Sequence, residues 1–117
     1  MSADKVETVR SVSSGTVGRA VSEARGQRLV LDSSARPQPD ALTNSEAFLA
    51  GVSSCGVTLV EGYAQDKAVP LRRMEVTIEG VRPASDPARF SSITMHFRLH
   101  GVSQTQAEAL VEVYRQR

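Results

Sequence analysis

The segment Thr43–Tyr63, TNSEAFLAGVSSCGVTLVEGY, contains the clearest structural signal in this chain. Thr43 and Glu46 have the Thr-x-x-Glu spacing of a capping box, in which two side chains and two backbone N–H groups pair reciprocally at a helix start. Behind this box, apolar side chains recur every three or four residues, as one face of a helix requires: Phe48, Val52, Cys55, Leu59 and Tyr63. The pattern predicts a helix over about residues 44–66, roughly 34 Å long, which ends before Pro70.

Segments in which apolar and polar residues alternate flank this helix on both sides. Before the helix, the sequence predicts short strands over 5–14, 17–22 and 28–32, with a hairpin turn at Arg25-Gly26 and an exposed loop over 33–40. After it, the sequence predicts strands over 71–80 and 90–100 and a closing helix with an apolar stripe, formed by Ala107, Leu110, Val111 and Tyr114. The order β-β-β-α-β-β-α predicts an α+β fold with the long central helix against an antiparallel sheet.

The size and charge of the chain exclude several classes of protein. The 117 residues are the length of one domain, so we expect a single domain over 1–117. The net charge is +1, which gives no broad attraction to nucleic acid or to anionic lipid. No apolar run reaches the ~20 residues of a membrane span, and the first residues lack a signal peptide. We therefore expect a cytoplasmic protein that binds neither nucleic acid nor membranes.

The chain contains a single cysteine, Cys55, so it has neither an internal disulfide nor a multi-cysteine zinc site. A free cysteine on an apolar stripe is more often a small core side chain than a nucleophile, and the residues alone leave both interpretations open. A reactive thiol needs a cationic neighbour, because an ordinary pKa of about 8.5 leaves little thiolate at pH 7. Cys55 lies about three turns inside the predicted helix, too far for the helix dipole to supply that charge.

Arg19 is the preferred candidate for the cation that would activate Cys55. It lies between Val17 and Val21 on the apolar face of the predicted second strand, where a guanidinium needs a charged partner. The alternative is an edge strand on which an inward-pointing charge discourages aggregation. Arg25, Arg28 and Arg36 are looser candidates.

Glu46 has a structural role as the acid of the capping box, where it favours the helix N-terminus. Its place two and a half turns before Cys55 also allows it to hold an arginine that reaches towards the thiol. His96 and His100 share one face of a predicted strand, but ~13 Å separates them, too far to share a metal ion, and we expect both to face solvent. No nucleotide-binding glycine pattern or Gly-x-Ser-x-Gly motif occurs, so we expect no metal, no cofactor and no hydrolase.

Small residues fill the middle of the predicted central helix, including Gly51 and Gly56. A glycine inside a helix costs ~1 kcal/mol relative to alanine, so something must compensate. Small residues let another backbone approach closely, which predicts that a second helix packs here. Because the chain has few helices of its own, a second copy of the chain is the expected source.

The run Glu46–Gly56, followed by the residues Gly62–Gln65, resembles the central-helix signature of the OsmC-like family. This family includes osmotically inducible protein C and the organic hydroperoxide resistance proteins. The segments 69–76 and 89–97 resemble the strands that follow the helix in the family, and the closing helix lies in the expected place. The resemblance covers nearly all of the chain and agrees with the order of elements predicted above.

The resemblance implies an intertwined homodimer whose central helices pack together, with an active site at the subunit interface. It implies that Cys55 attacks a hydroperoxide and becomes a sulfenic acid, that Arg19 activates the thiol, and that Glu46 orients the arginine. In the family's peroxidases a second cysteine near the C-terminus resolves the sulfenic acid. This sequence stops at Arg117, so either the family's C-terminal end is missing from it or an external thiol takes that part.

We therefore expect a peroxiredoxin-like hydroperoxide reductase in oxidative-stress defence, which uses an organic hydroperoxide and an external thiol or dithiol. The alternative is a non-catalytic OsmC-like dimer that binds a small apolar ligand and keeps Cys55 inert. A third hypothesis is a structural dimeric module without a ligand.

Overall fold

The computed structural model describes residues 3–116 of the chain. The elements are β1 Arg10–Ser13, β2 Arg19–Ala24, β3 Gln27–Asp32, α1 Asn44–Asp66, β4 Arg73–Val81, β5 Ser92–His100 and α2 Gln104–Arg115. This is the α+β order that the sequence predicts. Contacts within the chain group it into two compact units, Met1–Ala47 and Phe48–Arg117. Whether both belong to a single domain over 1–117 stays a prediction.

The first unit contains an antiparallel sheet in the order β1-β2-β3. Its β2–β3 hairpin turns at Arg25 and Gly26, whose φ angles of 53° and 79° are those of a type I′ turn. A two-residue turn fixes the register, which places Arg19 directly opposite Asp32. The predicted strand over 17–22 begins later, at Arg19, because residues 14–18 form a turn in which Val17 is 95% exposed.

The second unit contains a two-stranded antiparallel sheet of β4 and β5. The predicted inward residues of the two strands face each other in register, as in the pairs Met74–Leu99 and Val76–Phe97. The buried core is small and joins α1, β4 and α2: Val60, Ala64, Met74 and Leu110. The expectation of one sheet under the helix is thus corrected, because the described strands form two separate ladders.

The capping box at the start of α1 is confirmed. The Glu46 carboxylate accepts the Thr43 N–H at 2.9 Å, and Thr43 Oγ1 accepts the Glu46 N–H at 3.1 Å. The second predicted box is also present, at Ser103 and Gln106 before α2. Both helices therefore begin where their side chains satisfy otherwise unpaired N–H groups.

The buried face of α1 is not the one that the sequence predicts. Gly56, Val60 and Ala64 are buried, whereas Phe48 is 56% exposed and Cys55 is exposed. One residue further along a helix is a rotation of about 100°, so the packed face lies next to the predicted stripe. The reason is Gly56, where a side chain would meet Met95 at 3.2 Å: the missing side chain lets β5 come close.

By length and composition alone, α1 could cross a membrane, with a mean hydropathy of 1.3. Only 17% of that apolar window is buried within the chain. A single helix of this kind is weak evidence for a membrane protein, since core helices of soluble proteins share these properties.

Candidate functional site

Cys55 lies in the middle of α1, and its side chain is exposed. The next residue, Gly56, is buried, so the thiol lies at the border between the packed face and the open flank of the helix. The structure thus does not bury Cys55 as a small core side chain. An accessible thiol meets the first requirement for reaction with a small oxidant.

Phe48 lies on the same flank of α1 as Cys55, because seven residues make close to two helical turns. The Phe48 ring is stacked on Phe90, with 6.3 Å between the ring centroids. Phe90 lies over Gly80, where an added Cβ would come within 2.5 Å of the Phe90 ring. The Arg82 guanidinium lies 6.0 Å from the Phe90 centroid.

This aromatic pair was not predicted from the sequence. The signal for it is Gly80, which takes an inward position in the alternating pattern of β4 where an apolar side chain is expected. A glycine at such a position often marks a place where another group approaches the strand closely. Here that group is Phe90.

Arg19 meets the charged partners that its inward position requires. Its Nη1 donates to Asp32 Oδ2 at 2.9 Å and to Asp40 Oδ1 at 3.2 Å, and its Nη2 donates to Asp40 Oδ2 at 3.0 Å. The alternative of a protective charge on an edge strand is wrong, since β2 is the middle strand of its sheet. The Arg19 guanidinium is thus bound by two carboxylates and partly buried, with 20% of the side chain exposed.

Asp32, which was not among the residues predicted for the site, is the buried centre of this network, at 1% exposure. Besides Arg19, its carboxylate accepts the Ser34 hydroxyl at 2.5 Å, the Ser34 N–H at 3.0 Å and the Gln38 N–H at 3.0 Å. The two-residue hairpin turn is the signal that could have found it, because counting back from that turn pairs position 19 with position 32.

The network shifts the pKa values of its members in the directions that favour charge. The Ser34 hydroxyl, followed by the Gln38 and Ser34 N–H groups, holds the pKa of Asp32 well below its ordinary value. The Arg19 hydrogen bonds lower the pKa of Asp40. In return, Asp40 and then Asp32 raise the pKa of Arg19. All three groups are charged at neutral pH.

Glu46 and Arg19 are not paired in the structure. The Glu46 carboxylate accepts the Thr43 N–H of the helix cap, and within residues 3–116 it forms no ion pair. The carboxylates that hold Arg19 are Asp32 and Asp40. The roles predicted for Arg19 and Glu46 at Cys55 stay predictions.

The remaining candidates have plain structural positions. Arg25 occupies the hairpin turn, Arg28 pairs with Glu23 at 3.5 Å on the surface, and Arg36 lies exposed in the loop after β3. His96 is exposed as expected, but His100 is half-buried and its Nε2 is buried without a hydrogen-bond partner in the described chain. The expectation that His100 faces solvent is corrected, because the Nε2 edge of its ring is covered by the rest of the chain.

A family model described as OsmC-like protein matches residues 37–117 of the chain. The matched part contains α1 with Cys55 and all the elements that follow it. The chain therefore belongs to the OsmC-like family. A search of curated protein sequences finds no match.

Solved structures share the fold over nearly the whole chain. The OsmC-like protein of Mycoplasma pneumoniae is 20% identical, with a TM-score of 0.82, and the match covers 98% of this chain and 84% of that one. An organic hydroperoxide resistance protein OsmC of Legionella pneumophila is 21% identical, with a TM-score of 0.71 and coverages of 95% and 82%. The organic hydroperoxide resistance protein OhrB of Bacillus subtilis is 16% identical, with a TM-score of 0.61 and coverages of 92% and 82%.

Proposed function

We propose that this chain is a cysteine-dependent hydroperoxide reductase in which Cys55 is the nucleophile. The observation that carries the proposal is the exposed thiol at the centre of α1, in a chain of the OsmC-like family. Two neighbours in fold, from Legionella pneumophila and Bacillus subtilis, are organic hydroperoxide resistance proteins, which supports the same chemistry here. The function belongs to oxidative-stress defence.

The reaction has two halves. In the first, the Cys55 thiolate attacks the terminal oxygen of the hydroperoxide, an S–O bond forms, and the O–O bond breaks. The sulfur loses two electrons and becomes a sulfenic acid, while the released alkoxide takes a proton and leaves as an alcohol. In the second, an external dithiol supplies two electrons and two protons, which regenerates the Cys55 thiol and yields a disulfide and water.

In this proposal Arg19 is the cation that favours the Cys55 thiolate and the developing alkoxide. A guanidinium fixed by two carboxylates keeps its orientation, and Asp32 and Asp40 supply that fixation. Glu46 is proposed to orient an arginine near the thiol in addition to its place in the helix cap.

We also propose that the protein works as a homodimer in the cytoplasm, with the open flank of α1 against a second copy. Much of this apolar helix is uncovered in one chain, and Gly51 and Gly62 have open space in front of them. Uncovered glycines on an apolar helix are suited to the close approach of another backbone.

The test combines thiol reactivity with product analysis. We expect native Cys55 to be alkylated rapidly well below pH 8, and we expect one equivalent of an organic hydroperoxide to give a sulfenic acid that mass spectrometry detects after trapping. Cys55→Ser abolishes turnover with a dithiol, whereas Ser54→Ala, the exposed neighbour, leaves it unchanged. Arg19→Gln slows alkylation at pH 7, because less thiolate is present.

A native thiol that reacts only after denaturation would overturn the proposal. The binding alternative predicts that result, together with retention of a small apolar ligand by the unreactive protein.

A further inference from the structure

We draw no further inference here: the strongest candidate, the groove of about 440 Å³ between β5 and α2, has apolar side chains such as Leu99 and Val111 along it and charges of both signs, among them Arg98 and Glu108, but nothing in the structure shows what covers it.

Discussion

Asp32 is the residue on which the loop between β3 and α1 depends. Its carboxylate accepts hydrogen bonds from Ser34 and Gln38 inside this loop and from Arg19 across the sheet. Asp40 binds the same arginine but is largely exposed, at 65%. Removing the Asp32 carboxylate therefore leaves several hydrogen-bond donors without their partner, whereas removing the exposed Asp40 carboxylate affects Arg19 alone.

We expect Asp32→Asn to lower the melting temperature at pH 7 clearly more than Asp40→Asn. A buried amide cannot accept all the hydrogen bonds that the carboxylate accepts. Because folding lowers the pKa of Asp32, its stabilising effect is complete above the unfolded-state pKa of about 4 and is lost as the pH falls through the folded value. Melting curves from neutral to acid pH check both points, and a gap between wild type and Asp32→Asn that stays constant below pH ~4 would contradict the second.

Arg25 has a φ of 53°, an unfavourable conformation for a side chain of its kind. Asparagine tolerates this region better, and Asn-Gly is a preferred pair for type I′ turns. We therefore expect Arg25→Asn to raise the free energy of unfolding by about 0.5–1 kcal/mol. Urea denaturation measures it, with Arg36→Asn in the exposed loop as the control; a loss of stability in Arg25→Asn would show that the arginine side chain stabilises the hairpin in another way.

The connection from β5 to α2 turns at Gly101, with a φ of 94°. A Cβ there would lie 2.6 Å from the Pro70 carbonyl oxygen, which belongs to the backbone, so the chain itself would have to shift. Gly15 has a similar φ of 99° but nothing within 4 Å of its Cβ position. Comparing substitutions at the two glycines therefore distinguishes the free-energy cost of the backbone conformation from the cost of the close contact.

We expect Gly15→Ala to lower the free energy of unfolding by about 1 kcal/mol, from conformation alone. Gly101→Ala should cost about 1–3 kcal/mol more, because the added methyl group also forces the Pro70 segment to shift. Chemical denaturation of both variants gives the difference. Equal losses would mean that residues 70–72 yield to the methyl group without cost.

The elements themselves could be predicted from the sequence because their signals are local. The capping box places the start of α1 at Asn44, and the Arg25-Gly26 turn places the β2–β3 hairpin. The buried face of α1 could not be predicted, since the choice between the Cys55 and Gly56 sides depends on which one β5 approaches. Periodicity finds an apolar stripe, but neighbouring strands decide which part of it is covered.

The candidate site, too, could be predicted only in part. That Arg19 needs a charged partner follows from the sequence alone, because it lies among valines on an inward face. The partners of Arg19 could not all be predicted from the sequence, because Asp40 reaches Arg19 from a loop and not from a paired strand. The contact of Phe90 was missed for a related reason: the sequence predicts Phe90 as the first residue of a strand over 90–100, but β5 begins at Ser92, and Phe90 reaches Phe48 from the loop before it.

The protein combines a small buried core with a long apolar helix, much of whose surface is uncovered. Four hydrophobic residues form the buried core of the described chain. Within residues 3–116, nine large hydrophobic side chains are exposed, among them Phe48 and Ile93. This balance favours association with a second copy, which would cover apolar area that one chain leaves in water.

We expect the wild-type protein to sediment as a dimer, and we expect Gly62→Leu to shift it towards monomer. Leucine is a better helix former than glycine by about 1 kcal/mol, so the substitution does not weaken α1 itself. The leucine side chain fills the space in front of position 62 that another helix needs. The control Ala109→Leu adds a side chain to an exposed position of α2. A monomeric wild type, or a Gly62→Leu variant that dimerises as tightly, would contradict the proposed interface.

The start of α1 carries a natural reporter of motion in the loop before it. The Asn44 N–H donates to Ser33 Oγ at 2.9 Å, a partner eleven residues away, whereas the Glu46 N–H is bound within the cap by Thr43. Release of the loop therefore exposes the Asn44 amide to solvent while the Glu46 amide stays protected. The ratio of the two hydrogen–deuterium exchange rates would measure how often the loop opens, with the helix itself intact.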